Sequence, residues 1–410
     1  MKKDKRRTSE GQQPTFFERA CTKVVINLFD KIEQGGVTCR FPDGTERHFG
    51  DINSRQQARM TINDHRFFRQ AVVGGDIGLG EAYMQGLWDT DDIPQLFGVL
   101  IKNRRALADG HLVTAWLMLQ KDRLMHALRA NTIIGSRKNI GKHYDLNNDF
   151  FQTFLDPTML YSCGFYERQD CSCQEAQLGK IHRIIDKAGI TSSDNVLEIG
   201  CGWGGFALEA VKTTGCHVTG ITVSSEQYEL ARERVRQAGL EDKITILFQD
   251  YRRTSGLFDK IVSIEMLEAV GHRYLGTFFK TCDRLLKPAG KLAIQVITIP
   301  DQSYESYRRK SDWIKKYIFP GGHLPSVTAL TAAVTKNTGF LMEQLEDIGI
   351  HYARTLKDWR EKFLRNVDKI RELGFDDVFR RKWIYYLATC EAGFRERAIG
   401  DIQVVFRKPA

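Results

Sequence analysis

No apolar run in this 410-residue chain reaches the roughly 18 to 20 residues that a membrane-spanning helix requires, so a helical span is not expected. The head, Met1 to Glu10, is charged and lacks the hydrophobic stretch of a signal peptide, which makes a cytoplasmic protein the expectation. Nine cysteines run from Cys21 to Cys390 and come close together only at Cys171-Ser172-Cys173, a spacing that suits neither a disulfide framework nor a paired zinc ribbon. They read as reduced thiols, and no metal site is expected. Internal repeats, low-complexity segments and the Asn/Asp-Pro-Pro-Tyr/Phe segment of base amino methylation are also missing. Nucleic acid is therefore not expected as a partner, although the charge alone would allow it.

What is present is positive charge, net +9, with a basic head at Lys2, Lys3, Lys5, Arg6 and Arg7. Such a balance suits an anionic membrane surface or nucleic acid. A solvated tail plus a scattered basic surface accounts for it equally well.

The chain is organised around Asn195–Gly205, NVLEIGCGWGG. Val196, Leu197 and Ile199 suit a strand buried on both faces of a parallel sheet. Gly200, Gly202, Gly204 and Gly205 then allow a tight turn and close approach to a ligand before helix-forming residues follow. Taken alone, the glycine spacing also fits a dinucleotide fingerprint. Glu198 decides against it: a carboxylate there repels a pyrophosphate, whereas it attracts the amine of S-adenosylmethionine. A nicotinamide site would further want an acid at the end of the next strand, and His217–Ile221 ends in Thr222 instead.

Around this loop the text alternates as a doubly wound α/β domain does. Strands are expected at 195–199, 217–222, 243–248, 258–264, 290–297 and 402–407, and helices at 175–188, 203–213, 225–238, 272–285 and 326–337. Two more helices are expected within 355–396. An insertion at 300–325 carries Tyr304, Tyr307, Trp313, Tyr317 and Phe319, which are expected to wall a substrate pocket on the ligand side of the sheet. Ahead of this domain the spacing predicts a helix over 16–32, a hairpin turning at Pro42-Asp43-Gly44, a helix-rich run, a loop at 74–80, and an apolar helix within 112–134 that either packs between domains or lies on an anionic bilayer. The resulting division is a basic disordered tail over 1–14, a first domain over 15–130, a linker over 131–141 and a catalytic domain over 142–410.

Several ordered segments together resemble the cyclopropane fatty acid synthases and mycolic acid methyltransferases. They are His143-Tyr144-Asp145-Leu146, Phe154-Leu155-Asp156-Pro157-Thr158, Tyr161-Ser162-Cys163, the glycine loop at 198–205, the ITVSSEQ segment at 221–227, Gln249-Asp250-Tyr251-Arg252, Glu265-Met266-Leu267-Glu268, and Lys316-Tyr317-Ile318-Phe319-Pro320. The resemblance implies a class I methyltransferase (Rossmann-like) fold, with a smaller N-terminal α+β domain for lipid docking. The activity implied is transfer from S-adenosylmethionine to the cis double bond of a phospholipid acyl chain. Cofactor contacts implied in this way are Tyr144, Tyr161, Ser162, Gly200, Gly202, Thr222, Gln227, Tyr251 and Arg252, to which strand-end chemistry adds Glu198 and Asp250. A bicarbonate ion acting as base is implied at Cys163, Glu268, Ile297 and Tyr352. The histidine of many bacterial members is Gln295 here, as in a plant-like branch; glutamine donates a hydrogen bond to an anion but cannot become cationic. A homodimer is a further implication.

The implied reaction leaves a cation on the acyl chain, which desolvated aromatic faces stabilise by roughly 0.5 to 2 kcal/mol each. Loss of a proton from the new methyl closes a cyclopropane ring. Loss of a different proton gives a methyl-branched or methylated unsaturated chain. On residues alone Cys163 reads as a buried structural thiol, Tyr352 as a core aromatic and Glu268 as a strand-end acid with a capping or catalytic role.

Overall fold

The computed structural model describes residues 14–108 and 147–410. The basic head, the 112–134 segment, the linker and Tyr144 lie outside the described residues. The chain divides into two compact units, one formed by the described residues up to 108 with Asp376–Ala392, the other by 147–375 with Gly393–Ala410.

In the first unit, strands β1 (Gly36–Arg40) and β2 (Glu46–Gly50) form the expected hairpin, Arg40 facing Glu46 in an antiparallel register. Gly44 sits at φ 83° in the turn, and the Asp43 carboxylate accepts from the Thr45 amide at 3.0 Å. Strand β3 (Gln57–Ile62) pairs parallel to β1, and the short β4 (Trp88–Asp89) completes a four-stranded sheet ordered β2-β1-β3-β4. The helix-rich expectation missed β3. Its Ala58, Met60 and Ile62 alternate into the core, but Gln57, Arg59 and Met60 are residues that helices use as readily. The loop expected at 74–80 is instead part of a helix, Arg66–Met84, broken only at Gly75 with φ 56° and ψ −134°. One glycine supplies the kink and the turns resume around it.

Helix Asp377–Arg395 supplies this unit with Arg381. Its guanidinium lies 4.0 Å from the Tyr83 ring centre, donates to the Tyr83 carbonyl, reaches the Trp88 carbonyl at 3.0 Å and pairs with Asp89 at 2.7 Å. Arg381→Ala removes the stacking and the donors of two carbonyls, and is expected to cost about 2 kcal/mol. A lowered thermal transition by circular dichroism checks this; an unshifted transition refutes it.

The second unit is built on a seven-stranded sheet. Its strands are β5 (Asn195–Ile199), β6 (His217–Thr222), β7 (Ile244–Phe248), β8 (Phe258–Ile264), β9 (Leu286–Thr298), β10 (Leu341–Asp347) and β11 (Gly400–Arg407), in the order β10-β11-β9-β8-β5-β6-β7. Pairing is parallel from β7 through β9, while β11 runs antiparallel to both β9 and β10. Helices at Cys173–Ala188, Gly205–Thr214, Ser225–Gln237, Leu275–Leu285 and Val327–Asn337 fall where the periodicity put them. Apolar residues of the sheet and helices form two large cores, one around Val196, Phe206 and Val218, the other around Leu197, Phe278 and Leu292. The 355–396 region holds more than the two expected helices, at Gly349–Arg365, Val367–Glu372 and Asp377–Arg395. Strand β10 was not anticipated either, because it is an exposed edge carrying Glu343, Glu346 and Asp347 with no alternating apolar face.

Candidate active site

Parallel strands deliver their carboxyl ends to one edge of the sheet, and a cavity opens there between the ends of β5, β6, β7 and β8. Each strand contributes the residues that immediately follow its apolar run. Of the eleven residues expected to contact a cofactor, ten line this cavity: Tyr161, Ser162, Glu198, Gly200, Gly202, Thr222, Gln227, Asp250, Tyr251 and Arg252. Tyr144 is outside the described residues.

Local geometry explains several of these placements. Gly200 adopts φ 85°, which lets its amide and that of Cys201 both donate to the Ile221 carbonyl at 3.0 Å, pinning the glycine loop to β6. The Thr222 hydroxyl donates to Gln227 Oε1 at 2.9 Å, while Ser224 caps the helix that carries Gln227. Asp250 is committed within its own loop. Its Oδ1 accepts from the Arg252 amide at 3.0 Å and Nε at 2.8 Å, and its Oδ2 from Arg252 Nη2 at 2.6 Å. Glu198 differs: it is buried, and its Oε2 has no hydrogen-bond partner among the described residues. Burial pushes its carboxyl up to about 8, against the pull of the Lys180 ammonium. A buried acceptor left open on a cavity wall fits a ligand that carries an ammonium group.

A second cluster adjoins the cavity at Glu265, which directly follows β8. The Glu265 carboxylate accepts from the Cys163 amide at 2.7 Å, from Gln295 Nε2 at 2.9 Å and from the Tyr352 hydroxyl at 2.6 Å. Three of the residues expected to hold bicarbonate thus converge, but they converge on a side chain of the protein. The other two meet at Glu268, whose Oε1 accepts from the Ile297 amide at 2.6 Å. Gln295 also donates to Asp401 Oδ2 at 2.9 Å and accepts from Gln403 Nε2 at 3.1 Å. With both amide hydrogens directed at carboxylates and its oxygen filled, Gln295 is satisfied as a neutral bridge. Bicarbonate therefore does not fit: the Cys163, Gln295 and Tyr352 donors implied for it are engaged by Glu265, and Glu268 Oε2 alone of the Glu265 and Glu268 carboxylate oxygens has no partner among the described residues.

Electrostatics in this cluster are dominated by burial. Glu268 is raised to about 8 by burial and by the charge of Glu265. Burial raises Asp401 as well, with Glu265 and Glu268 adding to it. For Glu265 burial again pushes upward, while the hydrogen bonds from Tyr352, Cys163 and Gln295 and the Lys180 ammonium pull the other way. Glu265 also holds φ at 47°, a conformation that costs a non-glycine residue on the order of 1 kcal/mol and that marks functional sites. Cys163 enters through its main-chain amide. Its thiol is buried and raised well above its ordinary value by that burial, which leaves it unsuited to nucleophilic attack.

Three participants escaped the sequence reading: Glu265, Lys180 and Asp401. Lys180 is fully buried and donates to the Ser162 hydroxyl at 2.5 Å, while Gln177 donates to the Ser162 carbonyl at 2.7 Å. Both project from helix Cys173–Ala188, which a Ser172/Glu175 capping box starts and Gly189 ends. Ala176, Lys180 and Ile184 are spaced at four residues, so the lysine's phase on the apolar stripe was readable.

The five aromatic residues expected to wall a substrate pocket are not part of the glycine-loop cavity. None of Tyr304, Tyr307, Trp313, Tyr317 and Phe319 lines this cavity, whose aromatic members are Tyr161, Trp203 and Tyr251. The Tyr304 hydroxyl lies 2.7 Å from His272 Nδ1 and 2.9 Å from His323 Nε2. The ammonium of Lys315 stands 3.4 Å from the Tyr307 ring centre, so one face of that ring already holds a cation. Trp313 packs against Tyr317 with ring centres 5.5 Å apart.

Comparison with known proteins gives a consistent neighbourhood. The family model described as mycolic acid cyclopropane synthetase matches residues 132–404. Tuberculostearic acid methyltransferase UfaA1 of Mycobacterium tuberculosis is 40% identical over 364 residues, covering 87% of this chain and 84% of that protein. Cyclopropane-fatty-acyl-phospholipid synthase of Escherichia coli is 36% identical over 359 residues, covering 87% and 90%. Among solved structures, the cyclopropane synthase MmaA2 from Mycobacterium tuberculosis superposes with a TM-score of 0.62 at 30% identity, covering 66% of this chain and 98% of that one. Mycolic acid cyclopropane synthase CmaA1, complexed with SAH and CTAB, gives 0.62 at 32% identity with the same coverage.

Proposed function

The chain belongs to the mycolic acid cyclopropane synthetase family, and from that premise we propose that it transfers a one-carbon unit from S-adenosylmethionine to the cis double bond of an unsaturated phospholipid acyl chain, forming a cyclopropane. It has the α/β class I methyltransferase fold and is an S-adenosylmethionine-dependent methyltransferase. The observation that carries the finer reading is the juxtaposition of the glycine-loop cavity with the buried carboxylates. The first suits an ammonium-bearing nucleoside, and the second suits a reaction that passes through a cation and must lose a proton.

When bound, S-adenosylmethionine supplies a methyl group on a sulfonium, an electrophile strong enough for an alkene. The protein's part is to place and shield. In this reading Glu198 accepts from the amine, Thr222 and Gln227 meet the ribose and adenine through neutral hydrogen bonds, and the Gly200 turn allows close approach. Ser162, held by Lys180 and Gln177, is a fixed part of the cavity wall. Negative charge around Glu265 favours a cation beside it, and the dry aromatic wall of Tyr161, Trp203 and Tyr251 neither adds to that cation nor deprotonates it. Bicarbonate has no role in this reading, because the donors implied for it are occupied.

A second product deserves equal testing because the relative at 40% identity is named a tuberculostearic acid methyltransferase: a methyl-branched or methylated unsaturated chain. We further propose peripheral binding to the cytoplasmic face of an anionic membrane through the first domain, and a homodimer. Net charge +9 supports the surface, and no helix among the described residues is long and apolar enough to cross a membrane.

Vesicles of cis-monounsaturated anionic phospholipid, incubated with protein and S-adenosylmethionine, are expected to yield fatty acids heavier by one CH2, with vinyl protons replaced by upfield ring protons on NMR. The same mass gain with an alkene retained assigns the methylated product. No gain from protein that binds S-adenosylhomocysteine refutes the acyl-chain substrate.

A further inference from the structure

We infer that Glu265 is the general base of the proposed reaction, a built-in carboxylate in the place where the family resemblance implies bicarbonate, so that turnover requires no dissolved anion. The inference rests on the functional reading above and adds to it the group that removes the proton.

Three carboxylates line the cavity: Glu198, Asp250 and Glu265. Asp250 is consumed by Arg252 through both oxygens. Glu198 lies against the glycine loop, and a single hydrogen bond, from the Ala207 amide, favours its ionised form. Glu265 accepts three hydrogen bonds from Cys163, Gln295 and Tyr352. A carboxylate has about four lone-pair positions; two bonds fall on Oε1 and one on Oε2, which leaves a position open on Oε2 of a residue that lines the cavity. Three fixed donors orient the group and favour its ionised form against the burial that raises its pKa, as suits a base before the proton arrives. Glu268 is anchored on the Ile297 amide, Asp401 is fully buried behind Gln295, and neither lines the cavity. The positive φ of Glu265 completes the case, since any base could be spared that strain if the carboxylate served packing alone.

The chemistry balances without another reactant. The alkene π pair forms a carbon–carbon bond to the methyl while the methyl–sulfur bond breaks and its pair goes to sulfur. A cation is left on the adjacent acyl carbon. A C–H bond of the new methyl then breaks, its proton goes to the free lone pair of Glu265, and its electron pair closes the ring. The resulting carboxylic acid returns the proton to solvent before the next turnover. Groups that face Glu265 and set its titration are Lys180, Cys163, Glu268, Tyr352 and Asp401.

The test uses the full chain with phospholipid vesicles in buffer stripped of carbon dioxide. Wild-type turnover is expected to be the same with and without added bicarbonate. Glu265→Gln is expected to lose roughly 10²- to 10⁴-fold in kcat while still binding S-adenosylhomocysteine by calorimetry. Glu265→Gly clears space in front of the three donors, so bicarbonate or formate should bind to it and restore part of the rate. Dependence of wild-type turnover on bicarbonate, or full activity of Glu265→Gln, overturns the assignment. Should the wild-type protein modify no lipid, the functional reading fails separately, and calorimetry still decides the pocket: bicarbonate binding to wild type refutes an occupied site, and binding to Glu265→Gly alone supports it.

Discussion

Gly200→Val is expected to weaken S-adenosylhomocysteine binding by at least roughly 100-fold, equivalent to about 2.7 kcal/mol. Two costs add. The backbone at φ 85° lies in the left-handed region, where a β-branched residue is an outlier. A Cβ at this position would also stand 2.7 Å from Met266 Cγ and 2.9 Å from Met266 Cβ. Met266 is the residue after Glu265, so its displacement disturbs the base as well as the cofactor cavity. The loop can escape only by giving up the hydrogen bonds from Gly200 and Cys201 to Ile221, which hold it to β6. Gly200→Ala bears the backbone cost and the same Cβ contact with Met266 without the branch, and should lose roughly tenfold. Calorimetry on both variants, with circular dichroism to show that the sheet is intact, measures the effect. An unchanged affinity for the valine variant would mean that the cofactor does not use this cavity.

How far the sequence reached depended on what each feature buries. Strands β5, β6 and β8 were legible because a strand covered on both faces is a continuous apolar run with sharp ends. Strand β10 was not: it is ordered by main-chain pairing with β11 and exposes most of its side chains, so no pattern of burial was written into it. The kink at Gly75 shows the converse, a breaker residue whose neighbours still close helical hydrogen bonds. At the site, ten of the residues expected to contact a cofactor share one cavity, and the glycine loop and the ordered motifs made that grouping readable. The identity of the group held by Cys163, Gln295 and Tyr352 was not. Glu265 stood in a motif already recognised, but an acid at a strand end reads equally as a helix cap, and only three-dimensional convergence separates the two. For the insertion aromatics, periodicity marks a face as apolar and does not say which cavity that face meets; they do not line the glycine-loop cavity.

Lys180→Met should produce the largest loss of stability, and one that depends on pH. Methionine keeps much of the buried stem, so packing changes little and the lost ammonium dominates. That ammonium is fully buried and counters Glu198, Glu265 and Asp401 from one position. Breaking such an arrangement typically costs about 3 to 5 kcal/mol, but these carboxyls can limit the cost by taking up protons. Their folded pKa values are already above the unfolded ones, near 8 for Glu198 against 4.5, with Glu265 and Asp401 raised in the same direction by burial. A carboxyl raised in this way contributes stability in full below 4.5 and loses it as pH rises through the folded value, because the unfolded chain releases the proton first. Removing Lys180 raises Glu198, Glu265 and Asp401 further. The gap between variant and wild type should therefore be small near pH 5 and grow toward pH 8. Burial lowers Lys180's own pKa, which adds a contribution of opposite sign that acts between its folded value and 10.5 and disappears with the substitution. At pH 8 a loss of about 3 kcal/mol corresponds to roughly 10 °C in Tm for a unit of this size. Melting both proteins at the two pH values decides the matter: an equal loss at pH 5 and pH 8 would make Lys180 a space-filling residue, whereas a loss confined to the higher pH assigns it the work of countering the carboxylates around the cavity as they ionise.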